Sequence, residues 1–325
     1  MIKHAYDIEL TKAPAKRDAS DHAGWCYGYP PGIAPNQWPL DPYSGYPLMH
    51  GFTFLLPEDY RCHGPDIVAL SFFATAPEHN DGGPLCDEAI EAVLKAGAAR
   101  PEDEELAAFW GHAQTPHPRM TYMKDILGCA YAVILLTQDE FDGALCPVPD
   151  IARHPRLENQ KTPTWLQRGQ WASEDAQETS KPGLLGRIFS RGKPADAPPL
   201  PEMPEVYPFK LRALGGNPHA DADFNCGLRL VPRQTDPNAG ITPEEFPDEE
   251  SDYTSRFDPE TFEILDWAKG FADNHIGGTM EQIQGVPEGF GPYYIGFEEY
   301  FGDYNFGGGN AQLDFKNLKF DWACG

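Results

Sequence analysis

The sequence predicts an α+β fold: a mostly antiparallel sheet in two similar half-units, with a few flanking helices. Three observations lead there. Proline and glycine number 33 and 32 in 325 residues, a usage that suits short strands joined by turns and argues against long helices. The apolar fraction is 41%, with 19 Phe, 14 Tyr and 7 Trp, so the chain can bury a sizeable core. One strand–turn–strand arrangement, rich in glycine and aromatic residues, occurs near both ends.

Taken in order, residues 1–24 read as an irregular or weakly stranded lead-in. Residues 25–57 are dense in aromatic, Gly and Pro residues and end in a strand over 49–56. Residues 66–74 and 131–137 are short runs of β-formers and read as buried strands. Between them, 86–98 has helical spacing, with Ile90, Val93 and Leu94 on one face and Asp87 and Glu88 at its start; 102–112 is a second short helix. Strands are expected again at 209–214 and 227–233. Residues 262–274 read as the clearest helix of the C-terminal half, with Pro259 and Glu260 at its first turn and Ile264, Leu265 and Ala268 as its stripe. These elements group as an N-terminal half-unit (1–158), a linker or extended loop (159–205) and a C-terminal half-unit (206–325), the halves packing as one globular body.

The repeat pairs residues 46–56 with 291–301 and residues 64–74 with 305–317. It equates Gly51 with Gly296, Phe52 with Phe297 and Leu70 with Leu313. Each glycine interrupts a strand, where a bulge or a close backbone approach is expected.

Some of these residues resemble the YwqG-like family of bacterial proteins, a domain family without an assigned activity. The resemblance rests on Gly32 after Pro30 and Pro31, on Trp38-Pro39, and on Gly45-Tyr46-Pro47-Leu48 before Phe52 and Phe54. It continues in Gly277-Gly278 ahead of Gln282 and Gln284, in Gly307-Gly308-Gly309 before Leu313 and Phe315, and in Phe320, Trp322 and Cys324. Thr279 stands where the family has a tryptophan. The resemblance covers about residues 25–75 and 275–325; it implies an α+β fold dominated by antiparallel sheet and implies no chemistry.

The net charge of −25 disfavours nucleic acid and anionic lipid, whose binding releases counterions to a basic patch, and favours a cationic protein partner. The seven cysteines are widely spaced and form no C-x-x-C, which suits a reducing compartment. No apolar stretch follows a basic start, so no signal peptide is expected, and the run 130–136 is too short to span a bilayer; the cytoplasm is the expected location.

No motif for a nucleophile, a phosphate-binding loop or a bound cofactor is present, and no residue stands out as catalytic. Cys62-His63 is adjacent, but strand neighbours point to opposite faces. The triple glycine at 307–309 reads as a tight turn. His219, Asp221 and Asp223 would share one face of an extended segment and could hold a metal, the basis of an alternative reading as a metal-dependent hydrolase; a solvated acidic turn competes with it. Residues 181–193 carry four basic residues beside Leu184, Leu185, Ile188 and Phe189. They read as a peripheral membrane or acidic-partner contact, or as a short helix laid on the protein's own acidic body, which the internal glycines favour. The principal expectation is a non-enzymatic binding protein, an immunity protein that neutralises a basic bacterial toxin. Its contact surface would be Glu244, Glu245, Asp248, Glu249, Glu250 and Asp252, with neighbouring aromatic anchors.

Overall fold

The computed structural model describes residues 2–11, 22–80, 85–158, 160–167 and 225–325. Among them, eleven strands form one sheet in which every pairing is antiparallel. The strands are β1 (Ala5–Leu10), β2 (Gly24–Cys26), β3 (Met49–Leu55), β4 (Ile67–Ala74), β5 (Met120–Lys124) and β6 (Ala130–Thr137). They continue as β7 (Cys226–Arg233), β8 (His275–Ile276), β9 (Tyr294–Glu298), β10 (Asn310–Asp314) and β11 (Lys319–Ala323). Among the described residues, five short α-helices flank the sheet: α1 (Pro77–Asn80), α2 (Glu88–Leu94), α3 (Glu104–Ala113), α4 (Gln138–Phe141) and α5 (Thr164–Gln167). The apolar runs at 66–74 and 131–137 become β4 and β6. They form where the sequence places them because both of their faces are covered: β4 is buried throughout and β6 up to its last residue.

The order across the sheet is β11-β10-β9-β8-β1-β7-β2-β3-β4-β6-β5. Apart from β5, it reads the same from either end if β1 exchanges with β7, β8 with β2, β9 with β3, β10 with β4 and β11 with β6. Each half therefore contributes its first strand to the other half: β1 pairs with β8, and β7 pairs with β2. The two exchanged strands pair with each other at the centre, where Glu9 faces Arg229 and forms an ion pair with it.

Hydrogen bonding fixes which positions correspond. Tyr27 N donates to Gly51 O (2.8 Å) and Gly277 N donates to Tyr294 O (2.9 Å). Both donors begin two consecutive left-handed residues, Tyr27-Gly28 (φ 66° and 64°) and Gly277-Gly278 (φ 60° and 75°). Gly51 thus corresponds to Tyr294, Phe52 to Ile295, Thr53 to Gly296 and Phe54 to Phe297. Along the next strand, Phe72 lies opposite Phe52 as Leu313 lies opposite Ile295. The equivalences read from sequence, Gly51 with Gly296 and Leu70 with Leu313, are therefore two residues out of step. A slip of two keeps every side chain on its own face, so an aromatic pattern with a strand period cannot detect it. Gly51 carries the expected bulge: the β3–β4 register shifts between His50 and Phe52, and a Cβ there would lie 1.9 Å from the Tyr304 hydroxyl. At Gly296 the register runs on regularly and the constraint is a close approach, a Cβ there lying 2.6 Å from the His275 ring.

The N-terminal lead-in is a correction to the sequence reading, because β1 is a central strand. Asp7 gives it a polar character, and the partner that makes this tolerable is 226 residues away. Arg233 on β7, with 2% of its side chain exposed, donates from Nε to Asp7 Oδ1 (2.6 Å) and from Nη1 to Asp236 Oδ2 (3.3 Å). Its other bonds go to the carbonyls of Thr279 (3.1 Å) and Ala272 (2.9 Å), and Phe271 lies 4.3 Å beneath the guanidinium. Asp236 in turn accepts from Thr279 N (2.9 Å), Thr279 Oγ1 (2.7 Å) and Asn238 N (3.0 Å). One buried cation thus ties the exchanged strands to the irregular segment 234–274.

The inner faces of the two halves pack on each other. Phe72 of β4 has ring centroids at 5.2 Å from Phe52, 5.6 Å from Phe297 of β9 and 5.3 Å from Phe320 of β11. The sheet curls until β11 comes within 8 Å of β5, Cα to Cα. With eleven antiparallel strands the two edges run in the same direction, so the antiparallel ladder cannot continue across the seam. A side-chain bridge spans it instead: Trp322 Nε1 donates to Asp125 Oδ2 (2.8 Å), which also accepts from Tyr131 (3.1 Å).

The helix expected at 262–274 is absent. The Asp258 carboxylate accepts from Glu260 N and Thr261 N (both 2.9 Å), Phe262 is left-handed (φ 57°), and Leu265 N donates to Arg256 O (2.8 Å). This turn chemistry competes with a helix at its first residues, and Phe262 and Ile264 are exposed. At the start of the expected linker, Trp165 and Leu166 are buried, so 160–167 belongs to the folded body. The rest of the linker, the strand at 209–214 and the basic stretch 181–193 lie outside the described residues. Changing Arg233 to Leu leaves the buried Asp236 and the half-buried Asp7 without their cation; it should cost about 3–5 kcal/mol of stability, measured by chemical denaturation.

Candidate functional site

The acidic residues singled out by sequence come together in one loop. Glu244, Glu245, Asp248, Glu249, Glu250 and Asp252 are all exposed, and Phe246 among them is 86% exposed. The loop holds its shape locally: Ser251 Oγ donates to Glu244 Oε2 (2.7 Å) and Glu250 N donates to Asp248 Oδ1 (2.9 Å). On one side it meets the turn before β9, where a Cβ at Gly285 would lie 3.1 Å from the Glu245 carboxylate. Arg256, the one basic residue of residues 241–260, is turned away into a bidentate pair with Glu281 and stacks 4.7 Å from Phe257. The loop thus offers uncompensated carboxylates and an aromatic ring to solvent.

His219, Asp221 and Asp223 lie outside the described residues. Among the described residues, no group of three or more His, Cys, Asp or Glu side chains could hold a metal ion. The turn at 307–309 holds an anion of its own: Gly307 and Gly308 are left-handed (φ 65° and 79°), and Gly308 N donates to the Glu299 carboxylate (2.9 Å).

Sequence reasoning missed two further features. One is a buried polar chain across β3 and β4. Gly28 O can only accept, so His50 Nδ1 carries the proton and donates to it (3.2 Å). His50 Nε2 then accepts from Thr53 Oγ1 (3.0 Å), which accepts from Ser71 Oγ (2.8 Å). The order of groups resembles an activated hydroxyl, but all three residues are at most 1% exposed, so no substrate reaches them. The chain satisfies polar groups in a dry interior and stitches β3 to β4. Burial holds the His50 imidazole neutral and lowers its pKa to about 4.

The other is a cleft of about 480 Å³ between α2, α3, β5 and the loop before β3. Asp87 caps α2, accepting from Ala89 N (3.0 Å) and Ile90 N (3.2 Å), and Asp103 caps α3 through Glu105 N (2.9 Å). His112 near the end of α3 donates from Nε2 to Trp38 O (2.7 Å), and Trp38 Nε1 donates to Leu48 O (2.8 Å). The Tyr122 hydroxyl donates to Leu40 O (2.9 Å) and accepts from Leu40 N (3.2 Å); its burial raises its pKa, while the residue as a whole stays 43% exposed. At the rim, Glu91 pairs with Lys95 (3.1 Å) and Lys124 Nζ sits 4.9 Å over the Tyr43 ring. A second hollow of about 530 Å³ beside Cys86 and Arg156 is polar, and its Arg156 is already paired with Asp87 (3.3 Å). The cleft walls come from three distant stretches, each too ordinary by itself to mark a site.

No protein-family model, curated protein or solved structure matches the chain. No helix among the described residues is long and apolar enough to cross a membrane.

The His50 pKa fixes a pH dependence. Its folded value lies below the ordinary 6.5, so between pH 6.5 and 4 the unfolded chain binds a proton that the folded chain refuses, and stability falls as pH falls. The full loss is about 3 kcal/mol. Glu298 acts in the opposite sense: burial, then Asp273, raise it to about 7, so its contribution grows as pH falls from 7 toward 4.5. The two separate in a variant. His50→Gln should be destabilised at pH 7 yet lose less stability than the parent between pH 6.5 and 4, in urea titrations at each pH.

Proposed function

We propose that this is a cytoplasmic binding protein that captures a basic protein, in the manner of an immunity protein neutralising a cognate bacterial toxin. The observation that carries the reading is Phe246, 86% exposed in a loop whose six carboxylates are all exposed. An aromatic ring left in water is a cost that a partner's pocket removes, and buried aromatic anchors dominate the energy of many interfaces. The surrounding carboxylates, on a chain of net charge −25, attract a cationic partner and speed its docking. The resemblance to the YwqG-like family is compatible with this role, since that family brings no catalytic chemistry with it.

The test is a pull-down from the bacterium of origin at low salt, followed by affinity measurements on the retained protein. A basic partner should co-purify, and its association should slow steeply as salt rises. Phe246→Ala should weaken the complex by about 2 kcal/mol through faster dissociation, whereas Glu244→Lys with Glu249→Lys should mainly slow association. Recovery of no basic protein, or a complex indifferent to Phe246→Ala, would contradict the reading.

A further inference from the structure

We propose that the cleft between α2, α3 and β5 binds a small aromatic carboxylate, its ring system held between Tyr43, Leu94, Met120 and Tyr122 above the buried Trp38 and Leu40, and its carboxylate at Lys124. The cleft is separate from the acidic loop, and its chemistry is the opposite.

Size is the first argument. A cleft of about 480 Å³ is in the range that encloses a small ligand, and apolar walls with a few placed polar groups are what such sites show. The walls are pre-formed. Tyr122 is fixed by two hydrogen bonds to Leu40, and the buried Trp38 behind it is held through its indole N–H and through His112, so a ligand meets a surface that needs no ordering. The Tyr122 ring is left open in the cleft although its hydroxyl is satisfied inside, so what it offers a ligand is an aromatic surface.

Charge is the second argument. On a chain of net charge −25, the cleft lining carries two lysines, Lys95 and Lys124, against one glutamate, Glu91. Glu91 is taken by Lys95 at 3.1 Å. Lys124 has no carboxylate within ion-pair distance among the described residues, and its ammonium is held over the Tyr43 ring at 4.9 Å. Glu91 feels the Lys124 charge but is ion-paired with Lys95, so the cleft lining keeps one positive charge in excess, which on an acidic protein is complementary to an anion with an aromatic body. A neutral ring would leave the ammonium unused, and an aromatic cation would be repelled by it.

The experiment uses the full chain, the fluorescent anion 8-anilino-1-naphthalenesulfonate as reporter, and two competitors that differ in charge, 1-naphthoate and 1-naphthylmethanol. The reporter should bind, and 1-naphthoate should displace it at least about tenfold more effectively than the alcohol. Lys124 is exposed, so Lys124→Gln leaves the fold intact; it should weaken 1-naphthoate about tenfold and leave the alcohol unchanged. Leu94→Trp, which fills the cleft, should abolish displaceable binding of all three while the far-ultraviolet circular dichroism stays that of the parent. Absence of 1-naphthoate binding at millimolar concentration, equal displacement by acid and alcohol, or binding unchanged by both substitutions would overturn the proposal.

Discussion

A guanidinium with 2% of its side chain in contact with solvent must find its counter-charges inside the protein, and Arg233 finds two, Asp7 and Asp236. Desolvating three charges costs several kcal/mol, so a trio of this kind holds only when the geometry engages every nitrogen of the guanidinium. Here Nε, Nη1 and Nη2 all donate, and Phe271 covers one face. The arrangement is specific more than it is strong. Asp7 is on β1, Asp236 opens the irregular segment after β7, and the Thr279 carbonyl follows the paired glycines after β8. The cation therefore sits where the first strand of one half has crossed into the other. From it follow the register of β1 on β7, the anchoring of a stretch with little regular structure, and the mirrored strand order.

How much of this was legible in the sequence depends on whether an element carries its own reason for forming. β4 and β6 do, being apolar on both faces. α2 does as well, with Asp87 to cap it and Ile90 and Val93 to bury. β1 does not: Asp7 makes sense only beside Arg233, and no local pattern announces a partner more than 200 residues away. The segment 262–274 shows the reverse failure. Its apolar spacing suits a helix, yet Asp258 and Thr261 hydrogen-bond the backbone into a turn and Phe262 takes a left-handed conformation that ends any helix there. The repeat was visible, but its step was not, because alternation fixes the face of a strand and leaves a slip of two undetermined. The consecutive left-handed residues 27–28 and 277–278, which are backbone features, set the step.

The two candidate surfaces divide in the same way. The acidic loop could be read directly from residues 244–252, and the structure adds the exposed ring of Phe246 and the removal of Arg256 into its pair with Glu281. The cleft could not, since Trp38, Leu94 and Tyr122 become neighbours only once α2 and α3 are laid beside the free edge strand β5. One scaffold thus presents two surfaces of opposite character. The acidic loop is exposed and carries an aromatic ring in solvent; the cleft is concave and mostly apolar and keeps a lysine at its mouth. The aromatic interior built on Phe72, Phe297 and Phe320 supports both, and the Trp322–Asp125 bridge holds the curled sheet together near the cleft.

If the exchanged strands are the element on which the rest depends, their backbone must be the last to open. Native-state hydrogen exchange reads this residue by residue. The Ile8 amide, which donates to Asn274 O at 2.8 Å, should exchange only through global unfolding, together with amides of β7 and well after the outward-facing amides of the edge strands β5 and β11. Exchange of Ile8 at the rate of those edge amides, with β3, β4 and β6 still protected, would show that β1 opens independently and would contradict the account.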